Sequence, residues 1–342
     1  MSESDPLQPS ANRRPARLKD IAAATGVDTS VVSRILSGDA ALSVRPETRR
    51  RVLDMAAHLS YRPNRAARAL KTARTMAIGM IVPELDNVAY AIIAQGADRQ
   101  ASKSGYALLV ATGSVRDRLA ALEGRIDGLL VGVATSETLQ VGEIGGDLPA
   151  ILVNRREALG IPSVTVADEQ GAALATAHLI SLGHSRIGHI AGPQNADTGR
   201  RRMQGYHSEL NTRGLEFIPE LTAEASYDEA GGEMGASRLL ALRPRPTALF
   251  VANVRAAIGA MAAARRHGLS IPRDISIVGF HDAPVAMYLD PPLTTVRMPL
   301  REMGGQAVES LLGLLDGRDV EDVCVTAPPE LVVRASAAPP NA

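Results

Sequence analysis

The residues with the clearest chemical purpose are Thr29, Ser30, Ser33 and Arg34, which share the outward side of a short amphipathic segment. Its other side is Val31, Val32, Ile35 and Leu36. Hydroxyls and a guanidinium presented at helical spacing suit hydrogen bonds to base edges and phosphates, not nucleophilic or acid–base catalysis. Farther along, short apolar runs end in polar or turn residues at 83–87, Asn154–Arg155, Asn253 and His281–Asp282. Residues at such strand ends face the ligand crevice of parallel α/β sheets. Patterns of enzymatic chemistry are missing. The chain has no G-x-x-x-x-G-K-[ST] loop, no G-x-G-x-x-G after a strand and no G-x-S-x-G elbow. His178, His184 and His189 fall unevenly across a helix, a loop and a strand without an H-E-x-x-H, which favours structural histidines over a metal site. No catalytic residue, metal or cofactor is expected.

The elements that must position the first set are legible locally. In LKDIAAATGVDTSVVSRILSG, Leu18, Ile21, Ala22 and Thr25 share one helical face, Gly26 can take a positive φ, and Asp28 can cap the following helix. A small residue at Ala22, a glycine four residues on, and apolar Val32 and Ile35 form the helix-turn-helix pattern, whose second helix enters a major groove. A third helix begins at Pro46, with Val52, Met55, Ala56 and Leu59 closing a three-helix core. Pro63 ends it, and Asn64 can cap a short basic helix over 65–70 that is too short to be stable alone. That stretch is either a plain basic linker or a hinge that orders only against DNA. Residues 1–16 are expected to be disordered.

Charge agrees with this division. Residues 1–74 carry 14 basic and 7 acidic side chains, a net of +7, and the other 268 carry 23 and 30, a net of −7. A basic head on an acidic body points to a polyanion partner at one end, with a merely basic, solvated tail as the blander account. At 342 residues, 45% hydrophobic and 22% charged, the chain is long enough for two or three domains with real cores. No window approaches 18 uncharged apolar residues, so no membrane partner is expected. The opening stretch has acids where a signal peptide needs basic residues, and the single cysteine, Cys324, can form no internal disulfide. A reducing cytoplasm fits best.

From Met76 onward AIGMIVP, YALLVAT, IDGLLVGV and AILVN read as buried strands, followed by RIGHIAG, TALFVAN and ISIVGFH, with Ala-rich helices between them. This alternation predicts an α/β body of parallel sheets with helices on both faces, in two lobes.

The head, LKDIAAATGVDTSVVSRILSG with RPETRRRVLDMAAHLSYRPNRAARALKT, resembles the LacI/GalR family of bacterial transcription regulators. The body is similar to the same family through VPELDN, ISLGHSRIGHIAGP, RRRMQGYHSEL, IPRDISIVGFHDAP and DPPLTTVRMPLREMGGQAVESLL, so the likeness runs from Leu18 to Arg334. The resemblance implies a helix-turn-helix domain over 17–62, a hinge over 63–74, and a periplasmic-binding-protein-like core over 75–338. Lobe one would take 75–167 and 299–322, and lobe two 168–298 and 323–338. It also implies a homodimeric repressor of a carbohydrate or related catabolic operon, bound to a pseudo-palindromic double-stranded operator, with affinity set by a small effector between the lobes. A sensor or solute-binding protein whose head no longer binds DNA specifically is the alternative.

Residue by residue, the resemblance implies DNA contacts by Lys19, Thr29, Ser30, Ser33, Arg34, Asn64, Ala67, Leu70 and Lys71, with Leu70 wedging open the central base step. The stretch SGDAALSVRPETR is about two residues longer than the commonest family form. Effector contacts are implied for Asn87, Tyr90, Asn154, Arg202, Asn253, Phe280 and His281, and lobe-one helix residues around 92–100 for the dimer. Asn154, Val254 and His281 stand where the family often carries carboxylates that accept sugar hydroxyls. The expectation is therefore an anionic effector, a sugar acid or sugar phosphate, gripped by Arg202 with His281 or Arg255 nearby. A neutral sugar held through Asn154 and Asn253 is the other reading. Ring stacking would rest on Tyr90, Phe250, Phe280 or Tyr288.

Overall fold

The structure is a computed structural model that describes residues 16–39, 41–61, 74–133, 144 and 148–341. It divides into two compact units at Thr75–Met76.

In the first unit, α1 (Leu18–Thr25), α2 (Thr29–Leu36) and α3 (Pro46–His58) pack on Ile21, Val32, Ile35, Val52 and Ala56. Each helix is too short to persist alone, so this shared apolar face stabilises all three. Gly26 closes α1 at φ +66, where a side chain would be strained. The Asp28 side chain accepts from the Ser30 amide at 2.8 Å and caps α2. Pro46 occupies the first turn of α3, where its missing N–H costs nothing.

The second unit holds two six-stranded sheets. The first runs β11-β5-β4-β3-β1-β2, with β1 (Ala77–Val82), β2 (Ala107–Thr112), β3 (Gly128–Val131), β4 (Ala150–Val153), β5 (Ser163–Thr165) and β11 (Val323–Cys324), all parallel. The second runs β12-β10-β9-β8-β6-β7, with β6 (Ile187–Ala191), β7 (Thr222–Glu224), β8 (Ala248–Val251), β9 (Ser276–Phe280), β10 (Thr294–Arg297) and β12 (Glu330–Val332). Among the described strands only β12 pairs antiparallel to its neighbour. The chain crosses between lobes after Thr165, after Arg297 and after Cys324. The last crossing falls two residues later than the sequence boundary at 322–323, because Val323 and Cys324 add a strand beside β5.

Two features position the cleft. The helices Val88–Lys103 and Leu300–Leu315 meet backbone to backbone, since a Cβ on Gly304 would lie 2.0 Å from the Ile93 carbonyl oxygen. This contact brings the 300–315 segment back to lobe one. The helices Asp168–Ser181 and Asp197–Thr212 cross just as closely at Gly205, whose Cβ would lie 2.2 Å from the Glu169 carbonyl oxygen. That crossing sets Arg201 and Arg202 directly over Asp168.

YALLVAT differs from its expectation of burial. β2 is the end strand of its sheet, and Leu109 and Val110 on it remain 39% and 41% exposed. An apolar alternation signals a strand, but only the strand order decides whether anything covers it.

Candidate ligand cleft and nucleic-acid interface

Six of the seven residues expected at the effector site line one cavity of about 350 Å³ between the lobes: Asn87, Tyr90, Asn154, Arg202, Asn253 and His281. Strand ends supply Asn154, Asn253 and His281, as the parallel topology requires. Asn87 and Tyr90 come from the start of the helix Val88–Lys103, and Arg202 from the helix Asp197–Thr212. Phe280 does not line it. Its ring is fully buried beneath the Arg202 guanidinium, 4.4 Å from ring centroid to Cζ, so it supports the arginine from behind.

Arg202 is committed to the protein itself. Its Nε donates to Asp168 Oδ1 at 2.8 Å, Nη1 to the Ala252 carbonyl at 2.8 Å, and Nη2 to His281 Nε2 at 3.2 Å. The last contact makes Nε2 an acceptor and places the imidazole proton on Nδ1. Arg201 binds the other Asp168 oxygen at 2.5 Å and Asp197 at 2.9 Å. Asp168 is fully buried, and burial alone would raise its pKa. The Arg202 and Arg201 charges outweigh that and hold it below the usual carboxylate range. Two guanidiniums and two carboxylates thus compensate one another inside the protein. Arg255 is similarly engaged, through Glu229 at 2.7 Å, Asp86 at 3.1 Å and Glu84 at 3.4 Å.

His281 is neutral. Burial first, and then the neighbouring Arg202 charge, push its pKa down to about 3. His189, stacked on Phe250 at 4.6 Å and donating Nδ1–H to the Phe250 carbonyl, is pushed by burial to about 4. Both take up protons on unfolding, so their contribution to stability is complete above about pH 6.5 and is lost as the pH falls toward 4 and 3. Each adds a slope of about 1.4 kcal/mol per pH unit in that window. The variant His281→Asn tolerates the positive φ of this position (+67) and should remove one such increment between pH 4 and pH 5.5. Urea titrations across that range check it, and an unchanged slope would mean that His281 titrates in the folded state.

The remaining expected residues divide sharply. Asn253 is spent on structure: its Nδ2 donates to the Tyr227 carbonyl at 2.7 Å, and its Oδ1 caps the helix Val254–Arg266 by accepting from Ala256 at 2.7 Å. Asn87 caps the helix Val88–Lys103 through Oδ1, and Nδ2 has no bond among the described residues. The Tyr90 hydroxyl donates to the Gly132 carbonyl at 2.8 Å and accepts from Arg155 Nη2 at 3.2 Å. Asn154 stands at φ +63 with its side chain buried in the cavity wall, and its Oδ1 has no hydrogen-bond partner among the described residues. A buried acceptor in that state costs roughly 1–3 kcal/mol. It marks a place held for something else.

Of the rings expected to stack on an effector, Tyr90 alone lines the cavity. Phe250 lies in the core and Tyr288 is exposed, while Tyr227 takes their place in the wall. The Tyr227 hydroxyl pairs with Thr198 at 3.0 Å, and the ring lies 5.7 Å from the Arg202 guanidinium carbon. Sequence reasoning missed Tyr227, Thr198 and Asp168. The S-Y-D before an Ala/Gly-rich helix was the only local signal for Tyr227, and nothing local announced Asp168.

In the first unit, Lys19, Thr29, Ser30 and Arg34 are exposed, and Ser33 is half-buried. The Ser30 hydroxyl donates to Asp28 Oδ1 at 2.6 Å, and Arg34 Nε donates to Asp39 Oδ2 at 2.8 Å. Asn64, Ala67, Leu70 and Lys71 lie outside the described residues. Among the described residues no helix is long and apolar enough to cross a membrane, and no group of acidic, histidine or cysteine side chains could hold a metal ion.

Comparison with known proteins closes on the same two parts. Residues 17–64 match the model of bacterial regulatory proteins of the lacI family, and 176–337 match the periplasmic binding protein-like domain. The chain is 33% identical to the ribose operon repressor of Haemophilus influenzae, over 94% of this chain and 98% of that one. Among solved structures, it resembles the lac repressor dimer bound to operator and an anti-inducer, with TM-score 0.79 and 28% identity, covering 95% of this chain and all of that one. It also resembles the transcriptional regulator CelR in complex with cellobiose, with TM-score 0.71 and 30% identity, covering 94% and 100%. With a helix-turn-helix head, two parallel-sheet lobes around a ligand-sized cavity, and relatives matched nearly end to end, the chain belongs to the LacI family of DNA-binding transcriptional regulators and is not an enzyme.

Proposed function

We propose that this regulator is a cytoplasmic homodimeric repressor of a carbohydrate-utilisation operon, released from or directed to its operator by a neutral polyhydroxylated effector. The observation that carries the effector class is the buried, unpartnered Asn154 Oδ1 in the cavity wall. A sugar hydroxyl donates to such an atom, whereas an ionised carboxylate group itself only accepts. The cations expected to grip an anion, Arg202 and Arg255, already face carboxylates, and His281 carries no charge. These observations favour the neutral reading over the anionic one, with Asn154 kept as a contact, Asn253 withdrawn from it, and Asn87 and Tyr227 added. The relatives with named sugars, ribose and cellobiose, support the same class.

DNA binding falls to Thr29, Ser33 and Arg34 on α2, with Lys19 on α1, while the hinge carries Asn64, Ala67, Leu70 and Lys71. A dimer places two such heads on half-sites about one helical turn apart. The end strand β2, where Leu109 and Val110 remain partly exposed, supports a lobe-one dimer contact beside the helix that carries residues 92–100.

Two measurements test this reading. DNA-affinity sequencing with the full-length protein should recover a palindrome beside sugar-utilisation genes; no enriched site, with or without a metabolite extract, would sink operator binding. Calorimetry against neutral pentoses, hexoses and disaccharides and against sugar acids and phosphates should show binding of a neutral sugar. Asn154→Gly keeps the left-handed backbone and deletes the acceptor, so affinity should drop about 5- to 150-fold. Binding confined to the acids or phosphates would reinstate the anionic effector.

A further inference from the structure

We propose that Asp39, in the lengthened loop after α2, is a positioning residue for operator specificity: it holds Arg34 so that its two terminal nitrogens present a fork to one guanine. This inference rests on the operator-binding reading above.

The geometry begins at the end of α2. Gly38 at φ +72 turns the chain back, and the Asp39 amide donates to the Arg34 carbonyl at 3.1 Å, the wrap of a left-handed helix cap. Asp39 therefore lies beneath the last turn of α2. Its Oδ1 accepts from the Ala41 amide at 2.9 Å, which fixes the carboxylate to the loop. Its Oδ2 accepts from Arg34 Nε at 2.8 Å. The carboxylate is anchored through backbone on two sides, so the arginine is the partner that becomes ordered. The hydrogen bond from Arg34, and then that from the Ala41 amide, hold Asp39 below its ordinary pKa.

What matters is which nitrogen is used. An arginine gripped end-on through Nη1 and Nη2 has spent its fork. Here the grip is through Nε, and neither Nη of Arg34 has a partner among the described residues. The side chain is half exposed, on the face of α2 that also carries Thr29 and Ser30. Paired Nη donors match the O6 and N7 acceptors of guanine in the major groove, and no other base offers two acceptors there. Holding the stem in advance removes the cost of ordering a flexible arginine when DNA arrives. Asp39 sits in the part of the chain where the loop is longer than the commonest family form, so this support is a feature of this chain's own sequence.

The test uses the full-length protein and the operator recovered above. The base pair at which Arg34→Lys loses its guanine preference is the one Arg34 reads, and wild type should prefer guanine there by about 5- to 150-fold. Asp39→Asn keeps one oxygen for the Ala41 amide and leaves none for Arg34. It should shrink that preference by about two- to tenfold while leaving the other positions of the site unchanged, with binding to unrelated DNA no weaker. In the Arg34→Lys background, Asp39→Asn should have no effect at that base pair. A uniform loss across all positions would reduce Asp39 to a structural loop residue and overturn the proposal. A tighter, more guanine-selective Asp39→Asn protein would overturn it as well, by showing that Asp39 withholds Arg34 from DNA. Unchanged discrimination in the variant would do the same, whereas a wild type that enriches no site would instead defeat the operator reading itself.

Discussion

Asp168→Ala should destabilise the two-lobed body by about 3–5 kcal/mol, the largest loss expected from a single polar substitution in this chain. The side chain has no solvent exposure and neutralises two guanidiniums, Arg201 at 2.5 Å and Arg202 at 2.8 Å. Removing it strands those charges in a low-dielectric interior with Asp197 alone to balance them. It also frees Arg202, which spans the Ala252 carbonyl, His281 and the Phe280 ring, so the cavity wall should lose its shape together with the stability. The drop in Tm should be on the order of 10 °C in a thermal scan of the full-length protein.

The double variant Asp168→Ala with Arg202→Met should recover part of the loss, because one fewer cation is stranded. That non-additivity is the signature of a charge network, and strictly additive losses would argue for simple packing. The pH dependence has a defined sign. Asp168 titrates below its unfolded value, so its contribution is complete above the ordinary carboxylate range and is lost as the pH falls through the lowered folded value. The histidines begin to drain stability earlier, below about pH 6.5, so acid unfolding should proceed in that order.

The second large effect is the response of operator binding to salt. A head with a net charge of +7 meets a polyanion, and the proposed dimer carries two heads. If the dimer neutralises roughly 6–10 phosphates, operator affinity should fall about 10³- to 10⁵-fold between 50 and 200 mM salt. Effector affinity should change far less over the same range. Arg202 in the cavity wall is already paired with Asp168, and a neutral ligand releases no condensed counterions. Fluorescence anisotropy on a labelled operator and calorimetry on the sugar, run in the same buffers, give the two slopes. Parallel slopes would mean that the effector is charged, and a flat operator slope would mean that the head does not engage phosphates.

The sequence by itself determined what depends on near neighbours. The three helices of the head follow from apolar spacing, from Gly26 and Asp28 at a turn, and from Pro46 at a helix start, all interactions within a few residues. The strands and their parallel order follow from apolar runs separated by helices, and the strand ends that face the cleft follow from that order. Asn154, Asn253 and His281 reached the cavity for this reason, while Asn87, Tyr90 and Arg202 reached it from helices.

What each side chain does there was decided only in three dimensions. Arg202 looked like an anion grip until the crossing at Gly205 set Asp168, 34 residues earlier, against its Nε. Asn253 looked like a ligand contact, but a helix end and a carbonyl 26 residues away took both ends of its amide. YALLVAT read as buried, yet strand order left β2 at the edge. Local pattern fixes backbone geometry because its energies act over three or four residues. The availability of a polar group depends on whichever distant partner the packing delivers, and a one-dimensional pattern carries no record of that partner.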